Sequence, residues 1–198
     1  MKSYTRNTRF ALAFALLMAL GASGARAGNV AGKVAAGSAG ISNAVVFLEG
    51  AHGSNPAAMH AVIDQQNKVF IPHVVAVMKG GTVEFRNSDD FLHNTYSVSP
   101  TQNFDLHQPS KGSRSLLKTE KPGVIEVRCH IHGNMQAWVV VVDNPFFAVT
   151  DERGIFHING VPPGTYKIKS WTEGHGELTQ SVTVSGSGNT TVFIKYAK

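Results

Sequence analysis

The chain has a single cysteine among its 198 residues, so no disulfide can form within it. Charged residues are also scarce, at 16% of the total, and no basic run follows the first 27 residues. The formal charge of +5 falls to +1 without those residues, because they hold four of the 18 basic residues and none of the 13 acidic ones. Basic patches are the usual sign of nucleic-acid binding, so we predict neither a nucleic-acid partner nor membrane-surface binding.

Long hydrophobic runs are missing too, apart from a short one near the amino terminus. That run, from Phe10 to about Leu20, follows three basic residues and precedes the small-residue sequence Ala25-Arg26-Ala27. A positive front, a short apolar segment and a small-residue cleavage site are together typical of a secretory signal peptide. We therefore expect residues 1–27 to be a signal peptide, no segment to span a membrane, and the protein to be periplasmic or otherwise exported.

The lone cysteine stands in the sequence Cys-His-Ile-His-Gly-Asn-Met, residues 129–135. A free thiol in an oxidising compartment is prone to oxidation, so a bound metal is an attractive explanation for it. Two imidazoles and a thiolate with a weak axial methionine form the donor set of blue copper sites. Zinc prefers four strong ligands, and hard cations prefer oxygen. The spacing therefore favours a copper site that includes Cys129, His132 and Met135.

Turn residues divide the remaining sequence into short segments with β-strand alternation. In Thr82 to Arg86 and in Val124 to Cys129, apolar residues alternate with polar and charged ones. Breaks containing glycine or proline separate such segments, and no amphipathic helix stands out. We predict an all-β protein built from β-sandwiches, with Cys129 facing inward at the end of a strand.

The donor set needs a second histidine, and His93 is the candidate because it lies in a polar turn after the strand Thr82 to Arg86. The segment from about Met59 to Val142 then resembles the cupredoxins, with an amicyanin-like spacing of the ligand loop. The resemblance rests on four stretches: F-I-P at 70–72, G-G-T-V-E-F-R-N at 80–87, D-x-x-x-H-N at 89–94 with Asp89 or Asp90 in the acidic position, and C-x-x-H-x-x-M at 129–135.

The resemblance implies a Greek-key β-sandwich holding one Cu(I)/Cu(II) ion. It assigns His93, Cys129 and His132 as the strong ligands and Met135 as the weak axial ligand. It also implies that electrons pass through the imidazole of His132, past an apolar rim. The rim is expected to comprise Phe91, Leu92, Ile131 and Gly133.

Two residues of the ligand loop depart from the usual cupredoxin pattern. Serine or threonine and then proline often follow the cysteine, whereas His130 and Ile131 follow it here. The usual hydrogen bond between this loop and the residue after the first ligand, here Asn94, is therefore an open question. Ile131 keeps a backbone N–H that would raise the reduction potential if it donated to the thiolate. His130 is an alternative ligand, although alternation places it opposite Cys129.

The sequence beyond about Asp143 predicts a second, smaller sandwich. Residues 149–171 resemble carboxypeptidase regulatory-like, or transthyretin-like, domains. Such domains usually open with strands like G-K-V at 32–34 and N-A-V-V-F-L at 43–48, which precede the cupredoxin-like segment here. We predict amino-terminal strands in 28–55, a cupredoxin domain in 56–143 and a transthyretin-like domain in 144–198, with the first and third forming one split domain. The competing interpretation assigns the amino-terminal strands to the cupredoxin sheet.

A metal whose coordination is filled by side chains favours electron transfer over catalysis, because catalytic metals keep an open position. No nucleophile–base arrangement or phosphate-binding loop stands out. We predict a non-enzymatic one-electron carrier whose partners are redox proteins such as a periplasmic dehydrogenase or a cytochrome. A copper storage or delivery protein and a metal-free interaction module are the alternatives. Outside the ligand set, His73 is expected on a strand surface or at a domain contact.

Overall fold

The computed structural model describes residues 26–197, and the predicted signal peptide lies almost entirely outside the described residues. The regular elements of the described part are β-strands and one short 3₁₀ helix, Pro56–Met59. This architecture confirms the all-β prediction. No helix among residues 26–197 is long and apolar enough to cross a membrane.

The strands fall into three groups along the chain. The first group is β1 (Gly28–Ala36), β2 (Ala39–Gly40) and β3 (Val45–Glu49). The central group is β4 (His60–Gln66), β5 (Val69–Ile71), β6 (Val74–Met78), β7 (Thr82–Asn87), β8 (His93–Ser99), β9 (Gln102–Gln108), β10 (Arg114–Lys118), β11 (Gly123–Arg128) and β12 (Gln136–Val142). The last group is β13 (Phe147–Val149), β14 (Ile155–Val161), β15 (Gly164–Thr172), β16 (Gly176–Val184) and β17 (Asn189–Tyr196).

The central strands form a sandwich of two sheets, with orders β10-β7-β4-β5 and β6-β12-β11-β8-β9. Apolar residues alternate along these strands, so each sheet turns one apolar face toward the other. The core between them includes the fully buried side chains Ile63, Phe85, Ile125 and Val139. Cys129 and Met135 belong to the same cluster. The ligand loop is therefore anchored in the packed interior of this sandwich.

The first strands of the chain pair with its last ones. β1 lies between β14 and β17, and β3 lies between β13 and β15. These strands form a second sandwich whose core includes Val30, Leu48, Phe156 and Ile168. The chain leaves the second sandwich after β3, forms the central strands and returns to the second sandwich at β13. β13 is the antiparallel neighbour of β3. Because these two strands are adjacent, the chain enters and leaves the central sandwich at neighbouring points, and little distortion is needed.

A third apolar cluster joins the two sandwiches. It includes Val74, Val140 and Val142 of the central sandwich, packed with Val45 and Trp171 of the second. The Trp171 ring also lies 5.2 Å from the ring of Trp138, measured between centroids, so both tryptophans serve packing. This shared core fixes the second sandwich against the outer face of the sheet that carries the ligand loop.

Replacing Phe156 by alanine is expected to lower the free energy of unfolding by about 3–5 kcal/mol, because its buried ring leaves a cavity. Phe156 is 1% exposed, whereas Phe193 of the same sandwich is 63% exposed. Phe193→Ala is therefore expected to change the free energy by no more than about 0.5 kcal/mol. Urea unfolding followed by circular dichroism measures both variants. Equal losses would contradict this placement of the core.

Candidate metal centre

Three of the predicted ligands meet at one end of the central sandwich. The Sγ atom of Cys129 lies 3.9 Å from Nδ1 of His93 and 3.9 Å from Nδ1 of His132. The two Nδ1 atoms are 3.1 Å apart. Within residues 26–197, this is the one group of three histidine, cysteine or acidic residues whose ligand atoms all lie within 4.8 Å of one another.

Strand pairing brings these residues together from distant parts of the sequence. β8 and β11 are antiparallel neighbours, with Arg128 opposite Tyr96. The end of β11 therefore lies beside the start of β8, where His93 is the first residue. Cys129 follows β11 directly and meets His93 at this edge. A turn then brings His132 back over the site, closed by the Met135 N–H, which donates to the His132 carbonyl at 2.9 Å.

The donor separations fit a single transition-metal ion. Such an ion binds imidazole nitrogen at about 2.0–2.1 Å and thiolate sulfur at about 2.3 Å, so two donors of one ion lie at most about 4.4 Å apart. All three separations meet that limit. Burial, helped by the nearby His93 and Lys68, lowers the pKa of His132 and favours the neutral imidazole that binds metals. Both the chemistry and the spacing of the donors therefore suit a copper ion.

Met135 lies at the base of the same loop. Its side chain is buried in the core cluster that also contains Cys129 and Val127. A thioether embedded in the same apolar cluster as the cysteine suits the weak axial role predicted for it.

A buried carboxylate supports the first histidine. The Nε2 atom of His93 lies 2.9 Å from Oδ2 of Asp89, and both side chains are buried. This contact assigns the proton to Nε2 and leaves Nδ1 free to face Cys129, as is usual for metal-binding histidines. Of the two candidate acids, Asp89 therefore takes this position. Asp90 is 82% exposed and accepts a hydrogen bond from Lys111 at 3.0 Å.

Asp89 also holds the turn between β4 and β5. Its carboxylate accepts hydrogen bonds from the backbone N–H groups of Asn67 at 2.6 Å and Lys68 at 3.0 Å. Both residues have left-handed backbone, with φ of 54° and 59°, as in a type I′ hairpin turn. Burial alone would raise the pKa of Asp89, but the hydrogen bonds from Lys68, His93 and Asn67 outweigh it and hold that pKa below its usual value. The carboxylate is therefore ionised at neutral pH.

Asn94 ties the ligand loop to β8 through a backbone contact. Its Oδ1 accepts a hydrogen bond from the His130 N–H at 2.7 Å, and its Nδ2 donates to Asp105 at 2.6 Å. The hydrogen bond between Asn94 and the ligand loop, which the unusual residues after Cys129 had put in question, is therefore present. This hydrogen bond does not need the usual serine or threonine side chain, because its donor is the backbone N–H of residue 130.

His130 and Ile131 both lie on the surface. The His130 ring stacks on Tyr96, with centroids 3.6 Å apart, and its Nε2 lies 3.4 Å from Asp105. It stands outside the group of ligand atoms, on the side that alternation predicted. Among the hydrogen bonds of residues 26–197, none runs from the Ile131 N–H to Cys129 Sγ, so the geometry gives that hypothesised bond no support.

The residues predicted for the apolar rim are exposed, and Phe91 lies against the partly exposed His132. Phe91, Leu92 and Ile131 are all exposed, and Gly133 is exposed beside them. The Phe91 ring lies 5.5 Å from the His132 ring and 5.2 Å from the His93 ring, measured between centroids. Lys68, which sequence reasoning missed, places its Nζ 5.2 Å from the centroid of Phe91. No sequence signal pairs Lys68 with Phe91, because the contact depends on the turn between β4 and β5.

Comparison with known proteins gives partial likenesses. Residues 134–192 match a family described as polysaccharide lyase family 4, domain II. No curated protein matches the chain significantly.

Similar solved structures include the copper-containing nitrite reductase of Thermus scotoductus SA-01, with 24% identity and a TM-score of 0.39 over 48% of this chain and 25% of that one. A single-residue mutant of amicyanin in its Cu(I) form shares 20% identity, with a TM-score of 0.38 over 49% of this chain and 98% of that one. A purple cupredoxin from Nitrosopumilus maritimus shares 23% identity, with a TM-score of 0.36 over 41% of this chain and 99% of that one. This chain thus spans about a quarter of the nitrite reductase, and each likeness covers about half of this chain or less.

Replacing Asp89 by asparagine is expected to weaken Cu(II) binding by about tenfold or more, because the partner that orients His93 loses its charge. The neighbouring Asp90→Asn variant is the matched control, since Asp90 lies in solvent and touches no ligand. Competition titration with a coloured chelator measures both affinities. Equal affinities for the two variants would contradict the role assigned to Asp89.

Proposed function

We propose that the protein is a type 1, or blue, copper protein that transfers single electrons between redox partners in the periplasm. The observation that supports this most directly is the convergence of His93, Cys129 and His132 at one end of a β-sandwich, with their donor atoms 3.1–3.9 Å apart. Copper bound there would supply a one-electron Cu(I)/Cu(II) couple. The function therefore depends on how the protein holds these donors.

The ligands are held in place by the fold itself. Cys129 and Met135 are packed in the core, and His93 is fixed by the hydrogen bond to Asp89. The loop between Cys129 and Met135 is closed by its own turn and tied to Asn94. Donors that are fixed before a metal binds need little rearrangement when the charge of the ion changes, which suits electron transfer.

Access to the site favours electron transfer over catalysis. His93, Cys129 and Met135 are buried, and His132 alone of the four is partly exposed. The apolar ring of Phe91 packs against the rings of His132 and His93 at this edge. We propose a non-enzymatic carrier that exchanges electrons through His132 while the rim of Phe91, Leu92 and Ile131 contacts the partner briefly. The proposed partners are redox proteins such as a periplasmic dehydrogenase or a cytochrome.

The second sandwich serves as a scaffold in this proposal. Strands of segments 28–55 and 144–198 pair with each other, which supports a transthyretin-like domain that is split by the copper domain. Its core is apolar, and its contribution is to cover the outer face of the sheet that carries the ligand loop.

Addition of Cu(II) to the exported form of the protein, from Gly28 onward, is expected to produce an intense visible thiolate-to-copper absorption band. Cys129→Ser is expected to abolish the band, because the hydroxyl cannot supply the sulfur donor. A colourless protein that still binds copper would contradict the carrier and favour copper storage or delivery. If the protein binds no copper, the remaining alternative is that it is a metal-free interaction module.

Replacing the axial ligand by leucine is expected to raise the reduction potential, because the oxidised ion loses a weak donor. Met135→Leu is the variant, and Met78→Leu is the control, since Met78 packs in the cluster between the two sandwiches. Spectroelectrochemical titration of the blue band measures the potential. A shift no larger than that of the control would argue against an axial role for Met135.

A further inference from the structure

His73 lies at the seam between the two sandwiches, with an acceptor on each side of its ring. Its Nδ1 lies 3.1 Å from the backbone carbonyl oxygen of Gln136. Its Nε2 lies 2.7 Å from Oε2 of Glu173, in the turn between β15 and β16. The side chain therefore links the second sandwich to the central one.

Both oxygen partners of the ring are hydrogen-bond acceptors. The contact with Glu173 is the shorter of the two, and the hydrogen bond with His73 is the main influence that lowers the pKa of Glu173. The ring of His73 therefore joins a carboxylate of the second sandwich to a main-chain carbonyl of the central one.

The carbonyl that His73 holds comes directly after the ligand loop. Gln136 follows the axial residue Met135 directly and begins β12. The backbone of His73 adds a second point of attachment, because its carbonyl accepts the Trp138 N–H at 2.8 Å. His73 therefore holds the chain at two points within three residues of Met135.

Other titratable groups near the seam have separate partners. Glu126 accepts hydrogen bonds from the Gln136 side chain at 2.7 Å and from Arg128. His175 lines the same cavity between the sandwiches as His73 and Glu173, and its ring packs on Tyr196. Glu173 is the carboxylate that contacts the ring of His73.

We propose that Glu173 and His73 are positioning residues for the metal centre. Glu173 of the second sandwich holds the ring of His73, and the ring holds the Gln136 carbonyl, so the second sandwich fixes the end of the loop that carries Met135. The contact itself does not require copper. Its consequence for a bound ion rests on the proposed function.

The first test uses the metal-free protein and measures amide hydrogen exchange by NMR. Glu173→Gln is expected to speed exchange of the Trp138 backbone amide by about threefold to fivefold, since the contact that it weakens is part-exposed. Glu177→Gln is the matched control, because it removes a carboxylate that pairs with Lys169 in the same hairpin. Equal exchange of the Trp138 amide in both variants would overturn the proposal.

The second test uses the copper-loaded protein and its reduction potential. Glu173→Gln and His73→Gln are each expected to shift the potential, and the double variant is expected to shift it no further, because the two residues act in series. Additive shifts, or a shift as large in Glu177→Gln, would overturn the proposal. If copper gives no blue band, the proposed function fails, while the exchange experiment still decides whether the contact fixes the loop.

A bridging metal ion is the competing account of the short contact between His73 and Glu173. Calorimetric titration of Cys129→Ser with Zn(II), before and after His73→Gln is added, separates the two. Binding of Zn(II) that depends on His73 would overturn the direct hydrogen bond between His73 and Glu173. Binding that does not change between the two proteins would support it.

Discussion

The burial of one carboxylate, Asp89, organises the end of the molecule that carries the candidate metal centre. A buried carboxylate is costly unless it is hydrogen-bonded, and Asp89 receives donors from the hairpin turn at Asn67 and Lys68 and from His93. Satisfying this single group therefore requires the β4–β5 turn, the loop before β8 and the ligand histidine to hold one arrangement. The position of Lys68 over Phe91 and the direction of the His93 ring both follow from it.

The second sandwich supports the other side of the site. Its strands come from both ends of the described chain, and they pack on the outer face of the sheet that carries the ligand loop. The cysteine end of the loop is held by core packing and Asn94, and the methionine end lies next to the seam between the sandwiches. The residues of the candidate metal centre are thus supported by groups from both sandwiches rather than by one small sandwich alone.

Much of this arrangement could be predicted because strand alternation and ligand chemistry are local. The spacing of Cys129, His132 and Met135 places them in one loop, and the alternation of Ile125 and Val127 turns the cysteine inward. The choice between Asp89 and Asp90 could not be predicted in this way, since both have the same chemistry and adjacent positions. Burial of one and exposure of the other depend on a hairpin turn some twenty residues earlier in the chain.

The sequence by itself determined the all-β class and the loop that carries three of the four proposed ligands, because both depend on residues close together in the chain. Tertiary structure alone decided that β8 lies beside β11, that β1 and β3 pair with strands over a hundred positions later, and that Glu173 meets His73 across the seam. The reason is that sheet neighbours and ion pairs are selected by the packing of whole faces, to which residues far apart in the chain contribute together.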